Sequence, residues 1–175
     1  MHSGQTADPL NRYSKALKAV SSKRAKTDAD FEEMAKIEWY ASLYTNKKEK
    51  IIIPDFVLEA AFVAGARKSK LGKQAQAGLF VDGHALLNFD GDDLPIDELF
   101  KRDQNRHCAA VRVQRARVMR TRSFFEDWTA TIKLVYNDSM LNKPAVIRAI
   151  EDCGEQVGLC DWRPKYGRFV VETIQ

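Results

Sequence analysis

The chain has 175 residues, the size of one ordinary domain, and a chain this long buries roughly 70% of its unfolded surface without needing disulfides. Its 45% hydrophobic and 30% charged residues exclude a disordered chain, and the lack of any run of 18 apolar residues excludes a membrane-spanning helix. The net charge is only +4, with no apolar signal segment in the first ten residues. Cys108, Cys153 and Cys160 form no CxxC pair, so neither a disulfide framework nor a zinc knuckle is expected, and a reducing cytoplasm is. There is no P-loop, dinucleotide fingerprint or nucleophile motif, so no cofactor is expected.

The first helix is expected to open at Asp8-Pro9, with Leu10, Tyr13, Leu17 and Val20 at helical spacing. A basic linker, Ser21 to Lys26, follows. Asp28, Asp30, Glu32 and Glu33 favour the positive N-terminal end of a second helix starting near Thr27. Phe31, Met34, Ile37, Ala41 and Tyr44 mark its expected buried side. Ile51-Ile52-Ile53 reads as a short strand stopped by Pro54. Asp55 to Lys68 reads as a helix with Val57, Leu58, Ala61, Phe62 and Gly65 inward, Gly65 suiting close packing. Ser69 to Gln76 reads as a polar basic loop. Leu79–Val81 and Leu86–Phe89 read as strands, and Asp90 to Pro95 as an acidic turn. Ala109 to Val118 is expected to be extended, with a bulge near Gln114 turning its arginines to solvent. Trp128 to Tyr136 alternates cleanly as a strand. Pro144 begins a helix carrying Val146, Ile150, Cys153 and Val157 on one face and ended by Gly158. Phe169 to Ile174 reads as the final strand.

The charges are segregated. Arg106, Arg112, Arg115, Arg117, Arg120 and Arg122 lie in one stretch without an acid. Arg67, Lys68, Lys70 and Lys73 form a second cluster, Arg163, Lys165 and Arg168 a third, and residues 12–26 a fourth. Guanidinium forks pair well with phosphates, so an acid-free arginine stripe favours a polyanion. Solvated helix or strand faces are the plainer account of such runs.

The second half reads strand, helix, strand, and the first half holds a helix followed by short strands. Two such halves make a ferredoxin-like α+β fold: an antiparallel sheet with packed helices, here with an added N-terminal helical segment. One domain is expected over residues 1–175, with the helical segment at 8–44 and the ferredoxin-like core at 49–175. Between the last helix and strand, residues 158–168 hold two glycines, two aromatics and three basic side chains. Glycine admits a ligand close to the backbone, arginines clamp phosphates, and aromatic faces stack on unpaired bases.

This loop resembles the glycine-rich loop of the RAMP superfamily, ferredoxin-like backbone and crRNA-processing subunits of CRISPR effectors. Residues 51–54, leading into a helix that ends in Arg67-Lys68-Ser69, resemble the helix entry of those proteins. Over more of its length the chain resembles a family of phage and prophage proteins of unassigned role. The matching stretches are residues 3–10, residues 26–30, Val118-Met119-Arg120-Thr121-Arg122 and Asp161-Trp162-Arg163-Pro164. Members of that family carry an apolar strand before the His-Ser-Gly motif, which stands here at His2-Ser3-Gly4. The resemblance therefore implies a sheet short of its first strand, through a truncated start or a strand supplied by a partner.

The expectation is a non-catalytic, phage-encoded protein of the bacterial cytoplasm that binds single-stranded nucleic acid, RNA ahead of DNA, without contacting a membrane. Arg112, Arg115, Arg117, Arg120 and Arg122 would track phosphates. Arg163, Lys165 and Arg168 would clamp backbone, Trp162 or Tyr166 would stack on a base, and Lys68, Lys70 and Lys73 would extend the path. Copies could assemble along the strand, as the RAMP resemblance implies. Two other readings stay open. One is an effector whose arginines pair with acids on a host or phage protein. The other is a RAMP-like endoribonuclease, for which His107, beside Arg106, is a better general base than His2 or His84. Asp90, Asp92 and Asp93 lack the pattern of a calcium loop, so no metal is expected.

Overall fold

The computed structural model describes residues 4–172. In chain order its elements begin with α1 (Gly4–Ala7), α2 (Arg12–Ser21), α3 (Asp28–Ala41), β1 (Ile52–Ile53), α4 (Asp55–Ala66), α5 (Gly72–Gly78), β2 (Leu79–Val81) and β3 (Ala85–Leu86). They continue with α6 (Ile96–Lys101), β4 (Arg106–Val113), β5 (Ala116–Ser123), β6 (Leu134–Tyr136) and α7 (Lys143–Asp152), which runs into a wide turn over Cys153–Val157. The protein is thus mixed α+β, and its described sheets are small antiparallel ladders, β1 with β3, β2 with β6 and β4 with β5. No helix among the described residues is long and apolar enough to cross a membrane. The chain divides into two compact units, Met1–Ile51 with Asn88–Thr129, and Ile52–Leu87 with Ala130–Gln175. The N-terminal helices thereby share a unit with residues 88–129 from the middle of the chain.

In the first unit α2 starts later than Asp8-Pro9 suggests. Asp8 instead accepts the Leu10 N–H in a local turn, and Asn11 caps the helix by accepting the Tyr13 N–H. α3 begins as expected, with Thr27 and Asp30 forming a reciprocal capping box and Lys23 pairing with Asp30. Its buried side differs from the expected one. Ala41 is buried as expected, but Phe31 is 56% exposed, and Glu38 and Trp39 are buried instead. Trp39 turns inward because its indole N–H finds the Asn105 carbonyl at 2.7 Å, and its ring meets Phe100 edge-on.

The expected single strand over residues 109–118 is instead a hairpin. The chain reverses at Gln114-Arg115, with Gln114 at φ 53, and pairs Val113 with Ala116 and Arg106 with Ser123. A reversal resolves the broken alternation that a bulge was expected to resolve, since it restarts the register on the returning strand.

In the second unit α4 buries Val57, Leu58, Ala61, Phe62 and Gly65, the face read from the sequence. A Cβ at Gly65 would collide with the Ala149 carbonyl oxygen and lie 2.9 Å from Cys153, so α4 and α7 touch backbone to backbone there. α7 carries Asn142 as its cap and Pro144 in its first turn. It buries Val146 and Ile150 and leads to fully buried Cys153. The polar stretch 69–76 is not all loop, because α5 forms once Lys70 has turned the chain at φ 62. The strand expected over 128–136 shrinks to β6, whose partner β2 is only three residues long, and Thr129 bridges Asn88 alone. Of the strand expected over Leu86–Phe89 only Leu86 lies in a ladder, in β3 (Ala85–Leu86), and Asn88 makes an isolated bridge. Residues 169–172 join no ladder, and Thr173 and Ile174 of the expected final strand lie outside the described residues, as does His2.

Candidate nucleic-acid interface

Each antiparallel strand alternates its side chains between two faces, and residues directly opposite share one. Arg112 stands opposite Arg117, on the face that also carries Arg106, Cys108, Ala110 and Met119. Arg120 and Arg122 stand on the other face, with His107, Ala109, Val111 and Val118. The arginine stripe is therefore split into two chemically different sets.

The inner set is structural. Glu38 of α3 is 4% exposed, pairs with Arg120, and lies 3.9 Å from Arg122. Its second oxygen accepts the Thr121 N–H at 2.8 Å, and four residues on, Ser42 accepts the Ser123 N–H at 2.9 Å. Four helical residues rise about 6 Å and two strand residues about 6.7 Å, so one helix face matches alternate amides of β5. α3 thus covers the outer edge of β5. Arg120 and Arg122, expected to track phosphates, neutralise the carboxylate that does this.

The outer set is Arg112, Arg115 and Arg117, all exposed around the hairpin tip. Arg112 bonds only the Gln114 carbonyl at 3.2 Å, and no carboxylate pairs with these three among the described residues. Like charges directly opposite on a ladder repel, which makes the tip a place where an anion is favourable.

His107 is half-buried, its ring 5.6 Å from that of Phe124, opposite Arg122. Beside the start of β4 the structure adds Lys36, Tyr40 and Phe100, which the sequence did not single out, to Arg106, which it did. Arg106 lies over the Phe100 ring at 5.3 Å, and Lys36 lies about as near to Tyr40 and Phe100. Burial and the Asp97 carboxylate push the Tyr40 phenol well above its ordinary value. The spacing of Lys36 and Tyr40, one helical turn apart, is the sole sequence signal for this cluster. Glu38 carried none, being one acid on an acid-rich helix.

The remaining site residues belong to the second unit. Leu159 N–H bonds Gly167 O at 2.8 Å and Tyr166 N–H bonds Trp162 O at 2.9 Å, which closes the glycine-rich loop on itself. Gly158 and Gly167 hold φ of 76 and 74, conformations that favour glycine. The Trp162 and Tyr166 rings lie 6.1 Å apart, half-buried, and Lys165 lies over Tyr166. Arg163, Lys165 and Arg168 are exposed, with Arg168 bonded to the Pro164 carbonyl. Below the loop, burial pushes the Cys153 thiol up to about 12 against the opposing pull of Arg163, and burial also raises Cys160. Lys68, Lys70 and Lys73 are exposed on the turn after α4 and on α5. Ser69 of that turn bonds Asp152 at the end of α7. The turn and the approach to the loop thus share one end of α7.

The acidic stretch behaves as a turn. Asp90 pairs with Arg102, which lowers its carboxyl, and the described residues contain no cluster suited to a metal. Comparison with protein-family models, with curated proteins and with solved structures finds no match.

Proposed function

We propose that the protein binds single-stranded nucleic acid, RNA ahead of DNA, without cleaving it. The observation that carries this reading is Arg112 set directly opposite Arg117 at a tip where, among the described residues, no carboxylate pairs with them. A phosphodiester between them removes repulsion instead of adding a contact to a satisfied pair. In the second unit Arg163, Lys165 and Arg168 take phosphates at the glycine-rich loop, with Trp162 or Tyr166 stacking on a base. Lys68, Lys70 and Lys73 extend that set.

The second unit's order supports a ferredoxin-like arrangement. A strand leads into α4, another into α7, and the two helices pack through Gly65. The loop's position after α7 supports the RAMP-like part of this reading, and we extend the proposal to a phage-encoded protein working in the cytoplasm whose copies assemble along a strand.

The test is fluorescence anisotropy with labelled single-stranded RNA, single-stranded DNA and duplex DNA at several salt concentrations. Nine basic residues on phosphate, three at the tip, three at the glycine-rich loop and three lysines, give a slope of log affinity against log salt of about −6 on single strands. Micromolar binding to single strands, weaker to duplex and steeply salt-dependent, is the expected result. No binding at low salt overturns the reading.

A further inference from the structure

The two edges of the β4–β5 hairpin are treated differently. α3 covers the β5 edge through Glu38 and Ser42. Because Thr121 N–H points away from β4, its partner Cys108 also points its own N–H and C=O outward. Alternation places the backbone groups of Ala110 and Arg112 on the same side. Among the described residues nothing bonds these outward groups, and Cys108, Ala110 and Arg112 are exposed. β4 is eight residues long and carries no proline or bulge to block pairing at its edge, and its charged side chains, Arg106 and Arg112, disfavour a basic strand there more than an acidic one.

We infer that the outer edge of β4 accepts an extended acidic peptide from another protein as a third strand. Charge selects the occupant. On one face an added strand meets Arg112, with Arg117 behind, and Arg106, whose present partner is the exposed carboxylate of Asp103. On the other it meets His107, Ala109 and Val111. The fitting segment carries carboxylates six residues apart on one face and β-branched residues on the other. A second copy of this chain fits poorly, since antiparallel pairing of β4 with itself would set arginines against arginines. The inference does not rest on nucleic-acid binding: it shares Arg112 and Arg117 with the tip, but it depends on the backbone groups of the β4 edge, which phosphate contacts do not need.

The probe is a fluorescein-labelled, end-blocked peptide, Glu-Val-Thr-Val-Thr-Val-Glu, titrated with the full chain. Ala110→Pro is the informative variant. Its N–H points outward, so proline leaves the β4–β5 ladder intact and removes an edge donor. The expected result is saturable binding that Ala110→Pro weakens about tenfold or more, while RNA binding by the same variant is unchanged. Methylating alternate peptide nitrogens must weaken binding to the unaltered protein similarly, which keeps the test valid if the proline variant folds poorly. Replacing both Glu by Lys must abolish it. Equal binding of the methylated peptide would show adsorption by charge alone and overturn the inference, as would no binding. Concentration-dependent dimerisation lost in Ala110→Pro would name a second copy as the occupant and overturn it too. RNA binding that fails while peptide binding succeeds refutes the proposed function and leaves this inference standing.

Discussion

Arg120 and Arg112 lie eight residues apart in one basic stretch, yet they answer to different chemistry. Arg120 neutralises buried Glu38, which also accepts a β5 amide. Removing one partner of such a pair strands the other, so Glu38→Gln is expected to destabilise the protein by about 3 kcal/mol, read from its urea midpoint. Arg112→Ala is expected to leave stability within about 0.5 kcal/mol, or raise it slightly, because it relieves repulsion from Arg117. Equal losses in the two variants would contradict the split between the sets. Weakened nucleic-acid binding by an Arg120 variant therefore reports on folding unless stability is measured alongside. Thiol chemistry gives a second check. Cys108 is exposed, whereas Cys153 is buried with its thiol pushed up to about 12. Iodoacetamide at pH 8 is expected to alkylate Cys108 in the folded protein and Cys153 only after unfolding, as mass mapping would show.

The start of α3 was plain from the acids that follow Thr27, and the capping box found there is an equally local device. The side-chain bond from Lys23 and the bonds from Thr27 hold the Asp30 carboxyl down to about 2, below its ordinary 3.8. A depressed carboxylate stabilises the fold fully above the unfolded value and loses that contribution as pH falls through the folded one. The Asp30 contribution should accordingly hold above about pH 4 and vanish towards pH 2, with Asp30→Asn flattening that part of the acid curve. A carboxyl titration followed by NMR that showed an ordinary midpoint would refute the cap's role. α4 was legible for a similar reason: its apolar spacing and Gly65 specify a face that any neighbour must meet closely. The buried side of α3 was not legible, because the Asn105 carbonyl that draws Trp39 inward lies far along the chain. The hairpin was missed because Gln114-Arg115 is not a glycine-type turn signal. What the sequence did register was its consequence, the broken alternation around Gln114.

At the scale of the molecule, the basic residues fall in two compact units, the tip arginines in one and the glycine-rich loop with its lysines in the other. Sequence alone showed the clusters but not this partition, since residues 88–129 join the N-terminal helices through contacts distant in the chain. Counterion release counts phosphate contacts however the units lie, so it separates the two sets without a structure of the complex. Replacing Arg112, Arg115 and Arg117 together by Ala is expected to make the salt slope shallower by about 2 on single strands. Replacing Arg163, Lys165 and Arg168 together should do the same. The two changes should add when combined, because the slope counts phosphate contacts one by one. Anisotropy titrations of the three variants over a series of salt concentrations measure this directly. A slope unchanged by the first triple variant would remove the hairpin tip from the interface, and one unchanged by the second would remove the loop. Melting temperatures equal to that of the unaltered protein are required of all three, and the exposure of these six side chains makes that the expected outcome.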